Sequence, residues 1–430
     1  MDDLVRDWLE HSVGTVQHLE RQPRWRPVWF ADVERDGETL ELCVRGERTD
    51  FPGIYALEHE MLVQRLLHER GIPVPAVHGW IDEPRAFVTD RVPGRPDFET
   101  CTTAARDAVM DDYLRVLADI HALDVEPFAA AGVQRDGMAA YERWYRSSKR
   151  RPDPFLEFCL GWLRRHPLDT AGRQSVIVWD SGQFHHDGRR VLAVLDLELA
   201  HIGDPLMDLA AFRMRDTIIG FGDFERLYAK YEALSGTMVD RDAVRHHHFA
   251  FTLSNQLAFH AALAEPPPGS DYMTNLQWCN ETNLFAIEAL AETTGVELAP
   301  VPLPEPEVSP AAVAARHLVE SLRSGDYAQR RRFRLARHLQ RFDEIGRQCV
   351  DDDLDDLSAL LGYRPRTWQD GDAALEAFVL ADDGASDDAL VPLFHRRLWR
   401  AHQLMGPAGS AMTTHRPIQR FPTDRSFPTP

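Results

Sequence analysis

The chain has 430 residues, of which 44% are hydrophobic and 27% are charged, a balance typical of a globular protein and a length that predicts two or three domains. With 48 basic and 68 acidic residues, its formal net charge of −20 argues against nucleic acid or an anionic membrane as the main partner. No apolar run approaches the length of a membrane span.

The chain begins with MDDLVRDWLEHSVG, an acidic and amphipathic stretch that lacks the basic and then apolar character of an export signal. The five cysteines are far apart and include no CxxC pair, which favours reduced thiols. We therefore expect a cytoplasmic protein.

The first strongly patterned segment, between residues 27 and 45, predicts a β-hairpin. PVWFADVE and TLELCVR read as strands that flank the turn Arg35-Asp36-Gly37. In the second strand Leu40, Leu42 and Val44 alternate with polar or small residues, so they are expected on one buried face.

A helix is predicted from about Tyr55 to Arg70, where apolar residues recur at helical spacing before a Gly-Ile-Pro segment. Short strands follow at 76–81 and 86–90, and a Val-Pro-Gly breaker comes after them. From Ala104 onward the pattern is mostly helical, with a hairpin at 175–199 as the interruption.

The segment 299–310 carries five prolines and predicts an extended linker. Residues beyond it are again helical in pattern, and the last stretch lacks a core-forming pattern. The predicted organisation is an N-lobe at 1–95, a helical C-lobe at 96–298, the linker, and a helical C-terminal domain with a loose tail at 311–430.

The hairpin at 175–199 brings together the side chains with the clearest chemistry. Asp180 lies at its mouth, Asp196 at its far end, and the amide Gln183 in the loop between them, while Asp187-Gly188 forms the turn. Two carboxylates and an amide suit a magnesium-dependent phosphoryl transfer site, in which one acid orients the attacking hydroxyl and the other two groups hold the metal.

The stretch DLELAHIGDPLMDLA at 196–210 resembles the metal-binding segment of the aminoglycoside phosphotransferase and choline kinase family. Further matches follow in the family's order. Arg45 is similar to the strand base that contacts phosphates, Glu60 to its helix partner, and FVTDRVPG with Asp90 to the hinge entry; ADIHALD around His121 resembles a helix of the family.

This resemblance, which covers roughly residues 28 to 297, implies an α+β, protein-kinase-like fold with an antiparallel β N-lobe and a mainly helical C-lobe, to which the C-terminal helical domain is appended. It implies an ATP- and Mg²⁺-dependent phosphotransferase that acts on a hydroxyl of a small molecule. By the resemblance Asp180 is the catalytic base, Gln183 and Asp196 bind the metal, Asp208 and His121 give structural support, and the nucleotide contacts are Arg45, Glu60 and Asp90.

The catalytic loop departs from the family pattern. The family writes His-Gly-Asp with an Asn five residues after the Asp, whereas this chain has Val178-Trp179-Asp180 and an amide three residues on. The distance from Gln183 to Asp196 is 13 residues, which keeps the family's spacing. The alternative function is therefore a pseudokinase that binds a nucleotide or acts as a scaffold.

The acceptor is left open by the sequence. The family phosphorylates aminoglycosides, amino alcohols, sugars and, in some relatives, hydroxyacyl thioesters, and the pocket is expected within 222–297. The net negative charge of the chain weakly favours a cationic acceptor. A protein acceptor is disfavoured because the chain lacks an HRD-type loop and an APE-like motif. The C-terminal helical domain is a candidate surface for a partner or a second copy.

Plainer interpretations stand beside these. The alternative for the two aspartates is that they are ordinary hairpin carboxylates, and the alternative for Arg45 with Glu60 is a surface ion pair. His121 is expected to be a hydrogen-bonded core histidine. The run His246-His247-His248 does not predict a metal site, since successive helical side chains point about 100° apart.

Overall fold

The computed structural model describes residues 1–48, 52–323 and 325–421. In this part of the chain the N-lobe begins with helix α1 (Asp2–Ser12) and contains an antiparallel sheet in the order β1-β2-β3-β5-β4. Its strands are β1 (Thr15–Arg21), β2 (Val28–Arg35), β3 (Glu38–Gly46), β4 (Val77–Ile81) and β5 (Ala86–Asp90), and helix α2 (Leu57–Glu69) connects β3 to β4.

The predicted hairpin forms β2 and β3. Asp36 and Gly37 connect the strands with φ of +55° and +84°, the left-handed pair that a two-residue hairpin turn requires. Leu42 pairs with Ala31 and Val44 with Trp29, and these four side chains are fully buried. They pack against α1, so the amphipathic N-terminus covers one face of the sheet.

Helix α2 and strands β4 and β5 lie within a residue or two of their predicted bounds. Strand β1 has no counterpart among the predicted elements. Only Val16 of its residues is buried, so TVQHLER lacks the alternation of apolar and polar residues that marks a half-buried strand.

The C-lobe is mainly helical. Its helices are α3 (Thr103–His121), α4 (Glu126–Ala130), α5 (Gly137–Ser148), α6 (Pro154–Arg165), α7 (Leu206–Ile219), α8 (Phe224–Ser235), α9 (Arg241–Thr252), α10 (Ser254–Ala264) and α11 (Tyr272–Thr294). Between α6 and α7 the chain forms β6 (Ser175–Ile177), β7 (Phe184–His186), β8 (Val191–Val194), a 3₁₀ turn (Leu197–Leu199) and β9 (His201–Gly203).

The region predicted as one hairpin consists of two nested ribbons. Strand β6 pairs with β9, and β7 pairs with β8 inside that outer pair. The loop that carries Asp180 connects β6 to β7, and Asp196 lies two residues after the end of β8. The two ribbons therefore bring both ends of the inner hairpin to the same place.

Beyond the C-lobe, residues 299–310 contain neither helix nor strand. Helices α12 (Ala312–Ser321), α13 (Tyr327–Leu361), α14 (Trp368–Ala381) and α15 (Asp387–Gln403) follow. Helices α13, α14 and α15 share a hydrophobic cluster with the C-lobe; for example, the centroids of the Phe394 and Phe158 rings are 5.1 Å apart. The predicted boundary between these helices and the C-lobe stays a prediction.

The end of the described chain lies on the C-lobe. The guanidinium of Arg213, which is fully buried, donates from Nη2 to the carbonyl oxygen of Gln419 at 2.7 Å. The amide of Phe421 donates to Glu292 at 2.8 Å. The rest of the predicted loose tail, residues 422–430, lies outside the described residues.

An antiparallel β N-lobe, a mainly helical C-lobe and C-terminal helices together confirm the predicted fold class, α+β and protein-kinase-like. None of the helices in the described ranges combines the length and hydropathy needed to cross a bilayer.

Candidate active site

The carboxylate of Asp208 fixes the loop between β6 and β7 by hydrogen bonds to its backbone. This carboxylate lies in the first turn of α7 and is fully buried. It accepts hydrogen bonds from the backbone amides of Val178 at 2.9 Å and Trp179 at 2.6 Å. Because Trp179 has a φ of +63°, a conformation that is costly for a bulky residue, these two bonds fix the backbone from which Asp180 projects.

His121 lies on the other side of Asp208. Its Nε2 is 3.0 Å from the carboxylate and its Nδ1 is 2.6 Å from the hydroxyl of Tyr231. Both ring nitrogens thus have partners within the core, as expected of a hydrogen-bonded core histidine. His121 contacts Asp208, and through it the loop.

The turn at Gly182 closes the loop. Its φ is +88°, and a Cβ at this position would lie 3.0 Å from the ring of Phe221, so both the backbone and the space require glycine. The amide of Gly182 donates to the hydroxyl of Tyr113 at 2.6 Å. The shortened loop is therefore tightly packed.

The structure brings Asp180, Gln183 and Asp196 together. The amide nitrogen Nε2 of Gln183 donates to Asp180 at 2.8 Å and to Asp196 at 3.0 Å. The side chains of the two aspartates are 20% and 30% exposed, so all three groups face a partly open space. A loop two residues shorter than the family pattern still places the amide between the carboxylates.

The two carboxylates differ electrostatically. Burial raises the pKa of Asp180, and the nearby guanidinium of Arg215 opposes this shift only in part. Burial acts in the same direction on Asp196, but there Arg45, Arg26 and the Gln183 amide outweigh it and lower the pKa to about 2. Asp196 therefore stays ionised, while Asp180 is the better proton acceptor of the two.

Arg45 and Glu60 form a pair beside Asp196. The guanidinium Nε of Arg45 lies 2.9 Å from Glu60, whose side chain is 3% exposed, and its Nη2 donates to Asp196. The pair is therefore largely buried, and the interpretation as a surface ion pair is wrong for it. Arg45 lies on strand β3 and Glu60 on helix α2.

Three further charged residues at the site have no counterpart in the sequence analysis. Arg26, in the β1–β2 loop, is 5% exposed and donates to Glu60 at 3.3 Å and to Glu198 of the 3₁₀ turn. Arg215 donates to the other oxygen of Asp180. For Arg215 a signal exists, since it follows Asp208 by seven residues on α7, or two helical turns; no local pattern points to Arg26.

Asp90 lies at the end of strand β5, apart from the other predicted site residues. Its side chain is about half exposed, and it accepts from His78 Nε2 at 2.6 Å and from the Ala76 amide at 3.2 Å. It is not among the residues that line the cavity beside Asp180. The predicted contact of Asp90 with the nucleotide stays a prediction.

A cavity of about 350 Å³ opens beside Asp180, Gln183 and Asp196. Residues of both lobes line it, including the loops before β2 and after β3, and helices α10 and α11 of the predicted acceptor region. It is large enough for a small-molecule ligand. The three central side chains therefore face a cavity that residues of both lobes line.

The site contains side-chain oxygens of the kind that bind a divalent cation. Carboxylate and amide oxygens are the ligands that Mg²⁺ prefers, and it usually takes only one or two from protein while phosphates and water supply the others. Asp196 and the side-chain oxygen of Gln183 meet this need. Among the described residues no group of three or more His, Cys, Asp and Glu side chains is arranged to hold a metal.

The family model described as the phosphotransferase enzyme family matches residues 30–247. Curated relatives include acyl-CoA dehydrogenase family member 10 of Mus musculus, 26% identical over 46% of this chain and 20% of that protein, and family member 11 of Rattus norvegicus, 28% identical over 47% and 28%. The matched part of the chain thus spans less than a third of the length of each of these relatives.

Solved structures also resemble the chain. A macrolide 2'-phosphotransferase from Brachybacterium faecium is 21% identical, with a TM-score of 0.45 over 65% of this chain and 97% of that one. A choline kinase from Streptococcus pneumoniae is 14% identical, with a TM-score of 0.48 over 68% and 99%.

Proposed function

Because the chain belongs to the phosphotransferase enzyme family, we propose that it transfers the terminal phosphoryl group of ATP, in the presence of Mg²⁺, to a hydroxyl group of a small molecule. The observation that carries this proposal is the Gln183 amide, which lies within hydrogen-bond distance of both Asp180 and Asp196 at the edge of the cavity.

Asp180 is the proposed catalytic base. It lines the cavity, and its raised pKa makes it a better acceptor for the proton of a hydroxyl than an exposed aspartate. Each carboxylate oxygen accepts one hydrogen bond in this structure and has a second lone pair for the acceptor hydroxyl. Asp208, through the Val178 and Trp179 amides, positions Asp180.

Asp196 and Gln183 are the proposed Mg²⁺ ligands. Rotation of the Gln183 amide by half a turn would present its oxygen, in place of its nitrogen, to the space between the carboxylates. When bound, the ion supplies positive charge that neutralises the phosphate oxygens. The low pKa of Asp196 keeps this ligand ionised at neutral pH.

Arg45 is the proposed phosphate contact, and Glu60 positions it. The guanidinium is permanently charged and forked, which suits phosphate oxygens. Its bond to Asp196 connects the N-lobe to the metal-binding segment in this structure. A bound nucleotide phosphate would compete with that bond for Nη2, so we expect Arg45 to change partner when ATP binds.

The alternative, a nucleotide-binding pseudokinase, is favoured by one observation. Both oxygens of Asp180 already have partners, Gln183 and Arg215, within a loop two residues shorter than the family pattern. A cytoplasmic location, and the C-terminal helices as a surface for a partner or a second copy, also remain predictions.

The test is the substitution Asp180→Asn, assayed by transfer of phosphate from ATP to a panel of small-molecule alcohols. Loss of the base should lower turnover by about 10²–10⁴-fold, while a thermal shift with ATP and Mg²⁺ should stay near that of the wild type. Equal turnover in the two proteins would refute the role of Asp180. A thermal shift without turnover on any alcohol would favour the pseudokinase.

Asp187→Asn is the matched control. Asp187 lies in the turn of the same inner hairpin, its side chain is 40% exposed, and it is not among the described residues that line the cavity. The same change of carboxylate to amide should leave both turnover and the thermal shift unchanged.

A further inference from the structure

The last residues that the structure describes, 415–421, contain neither helix nor strand and lie across the C-lobe; they are called the strap below. At one end of the strap, Nε2 of His415 lies 2.7 Å from Glu288 of α11. At the other end, the ring of Phe421 is 6% exposed, and its centroid lies 4.2 Å from the guanidinium carbon of Arg213, which α7 carries and which is fully buried. The strap is therefore bound to the C-lobe at both ends.

Between these ends, Gln419 contacts the chain on both sides of the turn that follows α7. Its side-chain oxygen accepts from the amide of Phe224 at 2.9 Å, and its side-chain nitrogen donates to the carbonyl oxygen of Gly222 at 3.1 Å. Its backbone carbonyl accepts from Nη2 of Arg213 at 2.7 Å. The strap thus holds the stretch 213–224 at its beginning and at its end.

The same stretch, 213–224, packs against the catalytic loop. Arg215 of α7 donates to Asp180. The ring of Phe221, which is fully buried, lies so close to Gly182 that a Cβ on this glycine would be 3.0 Å from it. Both side chains that contact the loop therefore lie between the positions that the strap holds.

The turn that carries Phe221 needs contacts from outside. Phe221 lies between Gly220 and Gly222, whose φ angles are +80° and +121°, and glycine leaves the backbone more conformational freedom than any other residue. Within the turn the amide of Phe221 donates to Asp216 at 2.6 Å. The hydrogen bond from Gln419 to Gly222 fixes the other side of the turn.

We propose that the strap positions the catalytic loop: because it fixes residues 213–224, Arg215 and Phe221 stay in contact with the loop that carries Asp180. Gln419 and Phe421 are then positioning residues, which act through α7 and the turn after it and are not among the described residues that line the cavity. The effect on turnover rests on the proposed phosphotransferase function, whereas the effect on the mobility of the loop does not.

Hydrogen–deuterium exchange of the full chain, without ligands, tests the effect on the loop. The amides of Trp179 and Gly182 donate hydrogen bonds to Asp208 and Tyr113, and their exchange reports how often these bonds open. Gln419→Ala removes two hydrogen bonds to the turn. We expect residues 178–184 and 213–224 to exchange at least about fivefold faster in this variant, the change that the loss of one hydrogen bond produces in an opening equilibrium. Exchange in the β2–β3 hairpin should stay unchanged.

Variants of Phe421 provide an independent check. Phe421→Ala removes the ring from Arg213 and should accelerate exchange in the same segments, whereas Phe421→Tyr keeps the ring there and should match the wild type. Gln369→Ala is the control, since it makes the same change as Gln419→Ala at an exposed position of α14, and it should leave exchange at 178–184 unchanged.

Two results of the exchange experiment overturn the proposal. Faster exchange of the strap and of residues 213–224, with residues 178–184 unchanged, would mean that the strap does not hold the loop. Equally faster exchange in all segments, including the β2–β3 hairpin, would mean that the strap supports only the overall stability of the chain.

Steady-state kinetics, with the alcohol that the wild type phosphorylates fastest, separates this inference from the function on which it rests. We expect Gln419→Ala to lower kcat at least about threefold, since a misplacement of about 1 Å can cost about 10²-fold in rate. The KM for ATP should stay near that of the wild type, because the proposed nucleotide contact Arg45 and the proposed metal ligand Asp196 lie outside residues 213–224.

The outcomes are distinguishable. Faster exchange of the loop in Gln419→Ala, with no phosphoryl transfer by the wild type to any alcohol, would refute the phosphotransferase and leave the contact between strap and loop in place. Transfer by the wild type with an unchanged kcat in Gln419→Ala would support the phosphotransferase and overturn the role of the strap.

Discussion

Replacement of Asp208 by asparagine tests how the catalytic loop is held. The carboxylate accepts three hydrogen bonds in the core, from the Val178 amide, the Trp179 amide and the His121 ring. A hydrogen bond to a charged group contributes about 1.5–3 kcal/mol, and a buried donor left without a partner costs about 1–3 kcal/mol.

Asparagine keeps one acceptor oxygen. If this oxygen retains the Val178 and His121 bonds, which share one carboxylate oxygen, the Trp179 amide faces an NH₂ group and loses its partner. We therefore expect Asp208→Asn to lower the free energy of unfolding by about 2–4 kcal/mol, and turnover to fall as well, because the backbone on which Asp180 lies is no longer fixed.

Urea denaturation followed by tryptophan fluorescence measures the loss of stability. Asp119→Asn is the control, since this aspartate of α3 is 55% exposed and its ion pair with Arg115 lies at the surface, where such pairs contribute at most about 1 kcal/mol. A loss of less than about 1 kcal/mol for Asp208→Asn, or one no larger than that of the control, would show that Asp208 does not support the loop.

Two further predictions concern the charged residues that the sequence did not reveal. Arg215→Ala removes the group that opposes the burial-driven rise in the pKa of Asp180, so Asp180 stays protonated up to a higher pH and the acid limb of the pH–rate profile should move to higher pH. Arg215→Lys, which keeps the positive charge, should stay close to wild type. An acid limb that does not move in Arg215→Ala would mean that Asp180 is not the titrating base. Arg26→Met and Glu198→Gln, which break a contact between the lobes, should be non-additive by about 1–3 kcal/mol in a double-mutant cycle of unfolding free energies, and strict additivity would contradict the contact.

Much of this architecture follows from local patterns. The β2–β3 hairpin and α2 are predicted because apolar residues recur at strand and helix spacing, and Arg45 and Glu60 form an ion pair between β3 and α2. Asp180 and Asp196 are found by motif. Gln183 keeps the family's spacing of 13 residues to Asp196, and this spacing predicts its position between the two aspartates although its spacing to Asp180 departs from the family pattern.

Other features depend on contacts that a local pattern does not encode. Strand β1 has a single buried residue, so its pairing with β2 leaves no alternation in the sequence. Arg26 reaches the site from a loop of the N-lobe, and only the packing of the lobes reveals its contact with Glu198. Arg215 lies two turns after Asp208 on α7, and its contact with Asp180 depends on how that helix packs against the catalytic loop. The outer ribbon likewise depends on β9, a three-residue strand that lies beyond the bounds of the predicted hairpin.

Net charge is a poor guide to the acceptor for a related reason. The value of −20 describes the whole chain, and most of those carboxylates are at the surface, where water and salt screen them. Inside the cavity the local balance decides. There Asp180, Asp196 and Glu198 are paired with arginines, so the net charge of the chain does not predict the charge of the acceptor.

The most direct test of the phosphotransferase is phosphorus NMR of the protein with ATP, Mg²⁺ and a mixture of neutral, anionic and cationic alcohols. For the wild type we expect a new phosphomonoester signal that grows as ADP accumulates, depends on Mg²⁺ and is absent for Asp180→Asn. ATP binding with no phosphomonoester from any alcohol, or an equal signal from Asp180→Asn, would contradict the proposed role of this site.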